Sequence, residues 1–275
     1  GSDPALSRIF SVLGNSLGCI LHFVEVKLMY VIQWLRSLLF IGQMYLMMLV
    51  LALYYIPRTV LNKNYAFHAV HSYCCWVRWT ASWMVGLKSE VRGEVPTDEV
   101  LIASKHQSFF DIIMIVSVVP RPKFIMKSIL KYAPILGWFG LKIGCVPVER
   151  GKRGAAIKKM VADVKSGTAL PGQLIIFPQG TRVTAGAYLP YKVGAAVLQK
   201  ETGQSVVPAA TNVGVFWPRH GIYRKPGVAI LEFLPILRPE DVSDMDTALF
   251  TAHIEQTIET ASNVLMEEAG FNILI

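Results

Sequence analysis

The sequence predicts an α/β protein, a mixed sheet flanked by helices, preceded by a membrane-associated helical hairpin. Three observations point there. From about Lys88 onward, short apolar runs bounded by turn residues alternate with helical patterns, as a layered α/β domain requires. Ahead of that region lies a charge-free run of 20 residues, Ser37 to Ile56. Hydrophobic residues make up 53% of the 275 and charged ones only 17%, which is apolar for a fully soluble chain.

Taken in order, the opening Gly1-Ser2-Asp3-Pro4 reads as a cloning remnant at the head of an N-terminal extension, residues 1–28. Residues 29–87 form the membrane-associated region. As a helix, Ser37–Ile56 reaches about 30 Å, enough to cross a hydrocarbon core. Arg36 precedes it and Arg58 and Lys63 follow, so flanking charge leaves its orientation open. The second apolar stretch, Ala66 to Leu87, contains His68, His71, Trp76, Arg78, Trp79 and Trp83. Tryptophans with a snorkelling arginine suit an interfacial helix. The two segments therefore form either a hairpin seated in one leaflet or a span beside an interfacial helix.

The α/β domain occupies 88–275. Val100–Ser104 reads as a buried strand with helix Phe109–Val119 after it, and Gly144–Val148 as a strand before the basic helix Arg153–Lys165. Gln173–Phe177 is a further apolar run that stops at Pro178. Tyr191–Thr202 follows as a helix, Ser205–Asn212 and Val228–Phe233 as strands. Asp246–Ala269, with apolar residues at helical spacing, is an amphipathic helix capping one face.

Charge narrows the function classes. From Pro239 to the end there are eight acidic residues and no Lys or Arg. The preceding 238 residues thus hold all 27 cations against the other 11 of the 19 acids, a balance of +16. Such a body is drawn to an anionic surface. No basic stripe interleaved with aromatics, zinc finger or RNP-like motif is present, so the surface is a membrane and nucleic acid is excluded. Cys19, Cys74, Cys75 and Cys145 are too few for a disulfide framework in a chain of this length and read as reduced, buried residues of a cytoplasmic domain.

The chemistry-bearing residues lie at strand exits, where α/β clefts open. His106 follows the first of these strands, and Asp111 lies in the first turn of the next helix. Across that turn a carboxylate can hold one imidazole nitrogen and leave the other as a general base. A capping histidine beside a helix-terminal aspartate is the bland alternative. About seventy residues on, Phe177-Pro178-Gln179-Gly180-Thr181-Arg182 joins a strand end, a turn, a hydroxyl and a guanidinium able to grip phosphate. Arg150, after Val146-Pro147-Val148-Glu149, is a second cation, and Lys127 a third. Each alone reads as surface charge; together they suggest an anionic headgroup site.

These blocks, in this order, resemble the 1-acyl-sn-glycerol-3-phosphate acyltransferase family of bacterial type, within the glycerolipid acyltransferase superfamily. Lys105-His106 to Asp111, Val146–Arg150, Phe177–Arg182 and Val206-Val207-Pro208-Ala209-Ala210 stand for its four motifs, and the likeness runs from about Met29 to Ala269. The resemblance implies that His106 is the base and Asp111 its orienting partner. It implies that Arg150, Gly180, Thr181 and Arg182 hold the acceptor phosphate, with Lys127 and Gln179 beside them, and that Pro208 lines the site. It implies acyl transfer from acyl-CoA or acyl carrier protein to the sn-2 hydroxyl of lysophosphatidate, giving phosphatidate for phospholipid synthesis. No cofactor or metal enters, and the partners are membrane lipids at the cytoplasmic face of the bacterial inner membrane. Oxyanion donors are expected among the backbone N–H groups near Gly180, and residues around Ile135–Phe139 serve either as an acyl groove or as helix–sheet packing.

Two departures stand out. Lys105 replaces the Asn that often precedes the family's histidine, and Gln179 replaces its usual Glu; both are expected to make the site more basic. They keep other acceptors open, such as glycerol 3-phosphate or a lyso-aminolipid. From other classes, a non-catalytic lipid-binding protein and a lipid hydrolase stay as alternatives. Two decoys are set aside: Gly14-Asn15-Ser16-Leu17-Gly18 matches a hydrolase elbow but lacks a strand before it, and His68, His71, Cys74 and Cys75 read as packing rather than a metal cluster.

Overall fold

The computed structural model describes residues 4–148, 154, 158, 161–162 and 171–272, with side chains from residue 22 onward. Two helices lead: α1 (Pro4–Leu61) and α2 (Tyr65–Met84). Then come β1 (Leu87–Arg92), β2 (Leu101–Ser104), α3 (Phe109–Val118), β3 (Pro122–Lys127), α4 (Leu136–Lys142), β4 (Val146–Val148) and β5 (Gln173–Ile176). The chain continues through α5 (Gly194–Thr202), β6 (Val206–Thr211), α6 (Val213–Phe216), β7 (Gly227–Phe233) and α7 (Thr247–Glu268). Of the expected basic helix at 153–165, residues 154, 158, 161 and 162 are described and are helical; the others and Arg150 lie outside the described residues.

One seven-stranded sheet runs in the order β1-β7-β6-β2-β5-β3-β4. Neighbours from β6 to β4 are parallel, β7 joins β6 antiparallel, and β1 lies parallel to β7. The sheet is therefore mixed, as the sequence implies. β2 and β5, the two strands that lead into the motif loops, are neighbours in register, Leu101 opposite Leu174 and Ala103 opposite Ile176. Every residue of β2, β5 and β6 is buried, as expected of parallel strands covered on both faces.

One face packs against α3 and α2 through Ile102, Phe110, Met114, Val77 and Ala81; the other packs against α5 and α7 through Leu101, Ile176, Leu198, Ile254 and Ile258. α7 is amphipathic as expected. Its buried row is Phe250, Ile254, Ile258, Ser262, Leu265 and Met266, and Asp246 caps its start by accepting from the Leu249 N–H.

The hairpin differs from its expectation in two ways. The apolar run is not a free span from end to end: Ser37, Phe40 and Met44, in its first half, are buried against the domain. Gln33 Nε2 donates to the Val85 and Arg224 carbonyls at 2.9 and 2.7 Å, the Arg224 N–H donates to Ser37 Oγ at 2.9 Å, and Phe40 meets Trp217 edge-on. Nor does Arg78 snorkel. It turns inward to the serines of β1 and α3. A membrane-compatible composition serves lipid and protein packing alike, and composition alone does not divide them. Ala52 and Thr59 are buried as well, while other apolar side chains of α1 stay exposed, with Leu39, Tyr45, Leu46 and Leu53 about two-thirds open. Its stretch from His22 to Leu61 is long and apolar enough to cross a membrane. The serine of the hydrolase-like pentapeptide lies inside α1, so no strand-to-helix elbow presents it.

Candidate active site

His106 leaves β2 at the carboxyl edge of the parallel strands, and α3 starts three residues later. Ser108 is the N-cap of α3 and Asp111 its third residue, forming a reciprocal capping box. The Ser108 hydroxyl accepts from Phe110 N–H at 3.2 Å, and the Asp111 carboxylate folds back to accept from Ser108 N–H at 3.0 and 3.1 Å and from Gln107 N–H at 2.6 Å. This local accounting puts a fully buried carboxylate 3.2 Å from His106 Nδ1. A carboxylate only accepts, so Nδ1 carries the proton and Nε2 is the basic nitrogen. Among the described residues Nε2 takes no hydrogen bond. The spacing of His106 and Asp111 thus forms the pair expected of it, and the capping reading and the catalytic reading describe the same atoms.

Three further contacts fix the imidazole. Its ring stacks on Phe177 with centroids 4.0 Å apart, and Phe124 continues the stack behind. The Val183 N–H donates to the His106 carbonyl at 2.7 Å, tying the β5 loop to the β2 loop. Gln107 is buried with its Oε1 accepting from Gly214 N–H at 2.9 Å; a Cβ at Gly214 would stand 2.8 Å from Gln107 Cβ, so only glycine permits the approach. Neither Phe177 nor Gln107 carries a role in the sequence reading. The Ser108-x-x-Asp111 capping pattern was the available signal for how Asp111 folds back.

The β5 loop is a turn closed by Gly180 N–H to Phe177 O at 2.8 Å, with Gly180 at φ +70°. That N–H is committed to its turn, so an oxyanion donor near Gly180 would be another N–H of the loop. Gln179 is buried with Oε1 3.4 Å from His106 N–H, and its Nε2 is a buried donor without a partner among the described residues. Thr181 and Arg182 are half-buried beyond it; Arg182 Nη1 donates to the Arg219 carbonyl at 3.2 Å. Lys127 is exposed at the end of β3, two strands from β2 at the same sheet edge. Pro208 is buried within β6, opposite Ala103, beneath the site rather than on its rim.

Lys105 reverses its expectation. Its ammonium is 1% exposed on the far face of the sheet and pairs with Glu259 of α7, so it brings no positive charge to the histidine. Strand alternation explains this, since consecutive residues leaving β2 point to opposite faces. Glu259 also accepts from Tyr191 Oη at 2.9 Å, and burial together with this carboxylate holds the phenol well above its ordinary pKa. His71 and Cys75 bond the Val119 and Ser117 carbonyls, and Cys74 is in the core. Among the described residues no three His, Cys, Asp or Glu side chains gather as a metal site.

Residues 88–212, the segment that contains both motif loops, match the Acyltransferase family model. The chain carries an acyltransferase domain. A 1-acyl-sn-glycerol-3-phosphate acyltransferase of Pseudomonas aeruginosa is 26% identical over 192 residues, covering 69% of this chain and 74% of that protein. The lysophospholipid acyltransferase LPEAT1 of Arabidopsis thaliana is 25% identical over 213 residues, covering 70% and 52%. The crystal structure of the 1-acyl-sn-glycerophosphate acyltransferase PlsC from Thermotoga maritima superposes with a TM-score of 0.72 at 18% identity, over 86% of this chain and 98% of that one. This acyltransferase domain and its leading helices therefore share that fold.

Proposed function

We propose that the chain transfers a fatty acyl group from a thioester to the sn-2 hydroxyl of lysophosphatidate, giving phosphatidate for phospholipid synthesis. The observation that carries the chemistry is the His106–Asp111 pair, with a buried carboxylate on Nδ1 and Nε2 left as base. His106 Nε2 takes the hydroxyl proton as the oxygen attacks the thioester carbonyl. The tetrahedral intermediate collapses, the C–S bond breaks, and the imidazolium returns its proton to the departing thiolate. Asp111 holds the ring and stabilises its charged form; no acyl-enzyme is needed.

Arg182, Lys127 and Arg150, with Gly180, Thr181 and Gln179, are the residues assigned to the acceptor phosphate. Their support is the common sheet edge of the first two with His106 and the loop that carries Gln179 against it. Acyl-CoA or acyl carrier protein is the donor. The exposed apolar length of α1 supports a place at the membrane, on its cytoplasmic face, from which a substrate in the bilayer reaches the sheet edge. Acylation of another lyso-acceptor, such as a lyso-aminolipid, is the second reading, kept open by the similarity to the lysophospholipid acyltransferase LPEAT1. A panel of lyso-acceptors with one labelled thioester separates them. Turnover with lysophosphatidate above all others supports the proposal, and preference for a lyso-aminolipid or for glycerol 3-phosphate overturns its acceptor.

A further inference from the structure

Arg78 and Lys88 flank a cleft that acyl transfer does not use. It opens where the C-terminal half of α2 meets β1, has a volume of about 330 Å³, and is lined by Cys75, Arg78, Trp79, Ser82, Lys88 and Ser89. The half-buried Arg78 guanidinium is held by neutral acceptors: Nε to Ser89 Oγ at 2.8 Å, Nη1 to Ser117 Oγ at 2.8 Å, Nη2 to the Ser89 carbonyl at 3.3 Å. Among the described residues no carboxylate pairs with it. Glu90, the acid next along β1, is bonded to Arg92 at 2.8 Å. A partly desolvated cation without a counter-charge is costly, and an anion seated against it would offset that cost.

The surroundings say which anion. Lys88 adds an exposed second cation. Trp79 and Trp83, 57% and 55% exposed, run along the same face of α2, ring beside ring at 5.7 Å. Tryptophans beside cations, on a helix packed along an apolar one, mark headgroup depth. The cleft is also separate from the acyl-transfer site. Ser117 lies in the last turn of α3 and Asp111 in its first, about 9 Å apart along the helix axis.

We propose that this cleft binds the phosphate of an anionic phospholipid in the membrane that α1 enters; it rests on the reading of α1 as a membrane helix. The test uses the full chain with vesicles of phosphatidylcholine alone, or with about one third phosphatidylglycerol, reading flotation affinity and the alkylation rate of Cys75 by peptide mass. The wild type binds both vesicles, binds the anionic ones more tightly, and shows slower Cys75 alkylation on them only. Lys88→Ala and Arg78→Gln each cut the anionic gain about fivefold, leaving phosphatidylcholine binding and acyl transfer unchanged. Lys200→Ala, at an exposed position on α5, leaves the gain intact. Equal Cys75 alkylation on both vesicles, or a gain that Lys88→Ala does not touch, overturns the site. So does a gain that falls equally with Lys200→Ala, because diffuse charge then explains it. Protection of Cys75 by inorganic phosphate alone, in detergent and to the same degree, overturns the lipid as ligand. Failure to bind phosphatidylcholine vesicles at all overturns the membrane reading instead.

Discussion

Consider the removal of one partner from the Lys105–Glu259 pair. Lys105 is 1% exposed and its Glu259 partner 16%, so neither charge is well hydrated when left alone. Replacing Lys105 by Met strands Glu259 with the Tyr191 hydroxyl as its remaining donor. Breaking a buried pair from one side costs about 3–5 kcal/mol, whereas replacing both charges by apolar groups is often neutral. For a domain of this size that loss lowers the Tm by roughly 10 °C. Because Lys105 adjoins His106, the same variant should lower kcat while leaving the acceptor KM unchanged. The assays are chemical unfolding followed by intrinsic fluorescence, and acyl transfer at saturating acceptor, for Lys105→Met, Glu259→Leu and the double variant. Both single variants should lose stability and rate, and the double variant should recover most of each. A loss under about 1 kcal/mol for Lys105→Met, or a double variant no better than the singles, would refute the claim that a buried ion pair ties α7 to the catalytic loop.

Three further outcomes are expected. Asp111→Asn should lower kcat about 10³- to 10⁴-fold by allowing the wrong tautomer of His106, measured by labelled acyl transfer, and Asp111→Ala should in addition cost about 1 kcal/mol through loss of the capping box, so it does not leave the fold untouched. Arg182→Ala should raise the acceptor KM with little change in kcat if the guanidinium binds phosphate equally in ground and transition states, and a lowered kcat at constant KM would contradict that role. Burial pushes the Cys145 thiol up to about 11, so at pH 8 only about one in a thousand is thiolate, and iodoacetamide in detergent should label exposed Cys75 and spare Cys145.

What could be read from the sequence was what is local. The alternation of apolar runs located β2, β5, β6 and β7 within a residue or two, because buried parallel strands are nearly continuous apolar segments. β1 was invisible: Leu87-Lys88-Ser89-Glu90-Val91-Arg92 is an edge strand whose outer face is wet, and half its residues are charged. The short α4 was read only as apolar residues around Ile135–Phe139. Phe139 packs with Ala52, Ala66 and Ala69 between the sheet and the hairpin, while Leu136 and Leu141 stay exposed, so its core side is packing. His106 and Asp111 were legible because five residues and one capping box bring them together. The destination of Lys105 was not, since its partner lies 154 positions away and is chosen by which face of the sheet α7 covers.

Gln33, Ser37 and Phe40 begin a contact of α1 with the domain that reaches on to Ala52 against Phe139. That grip is a height gauge. With the helix fixed in the bilayer at one end and to the domain at this level, each residue between them carries the sheet edge about 1.5 Å nearer to or farther from the lipid surface. Under the proposed membrane reading, the length of α1 beyond this contact would set how deep in the headgroup layer His106 works, and with it which part of a lipid the imidazole would reach.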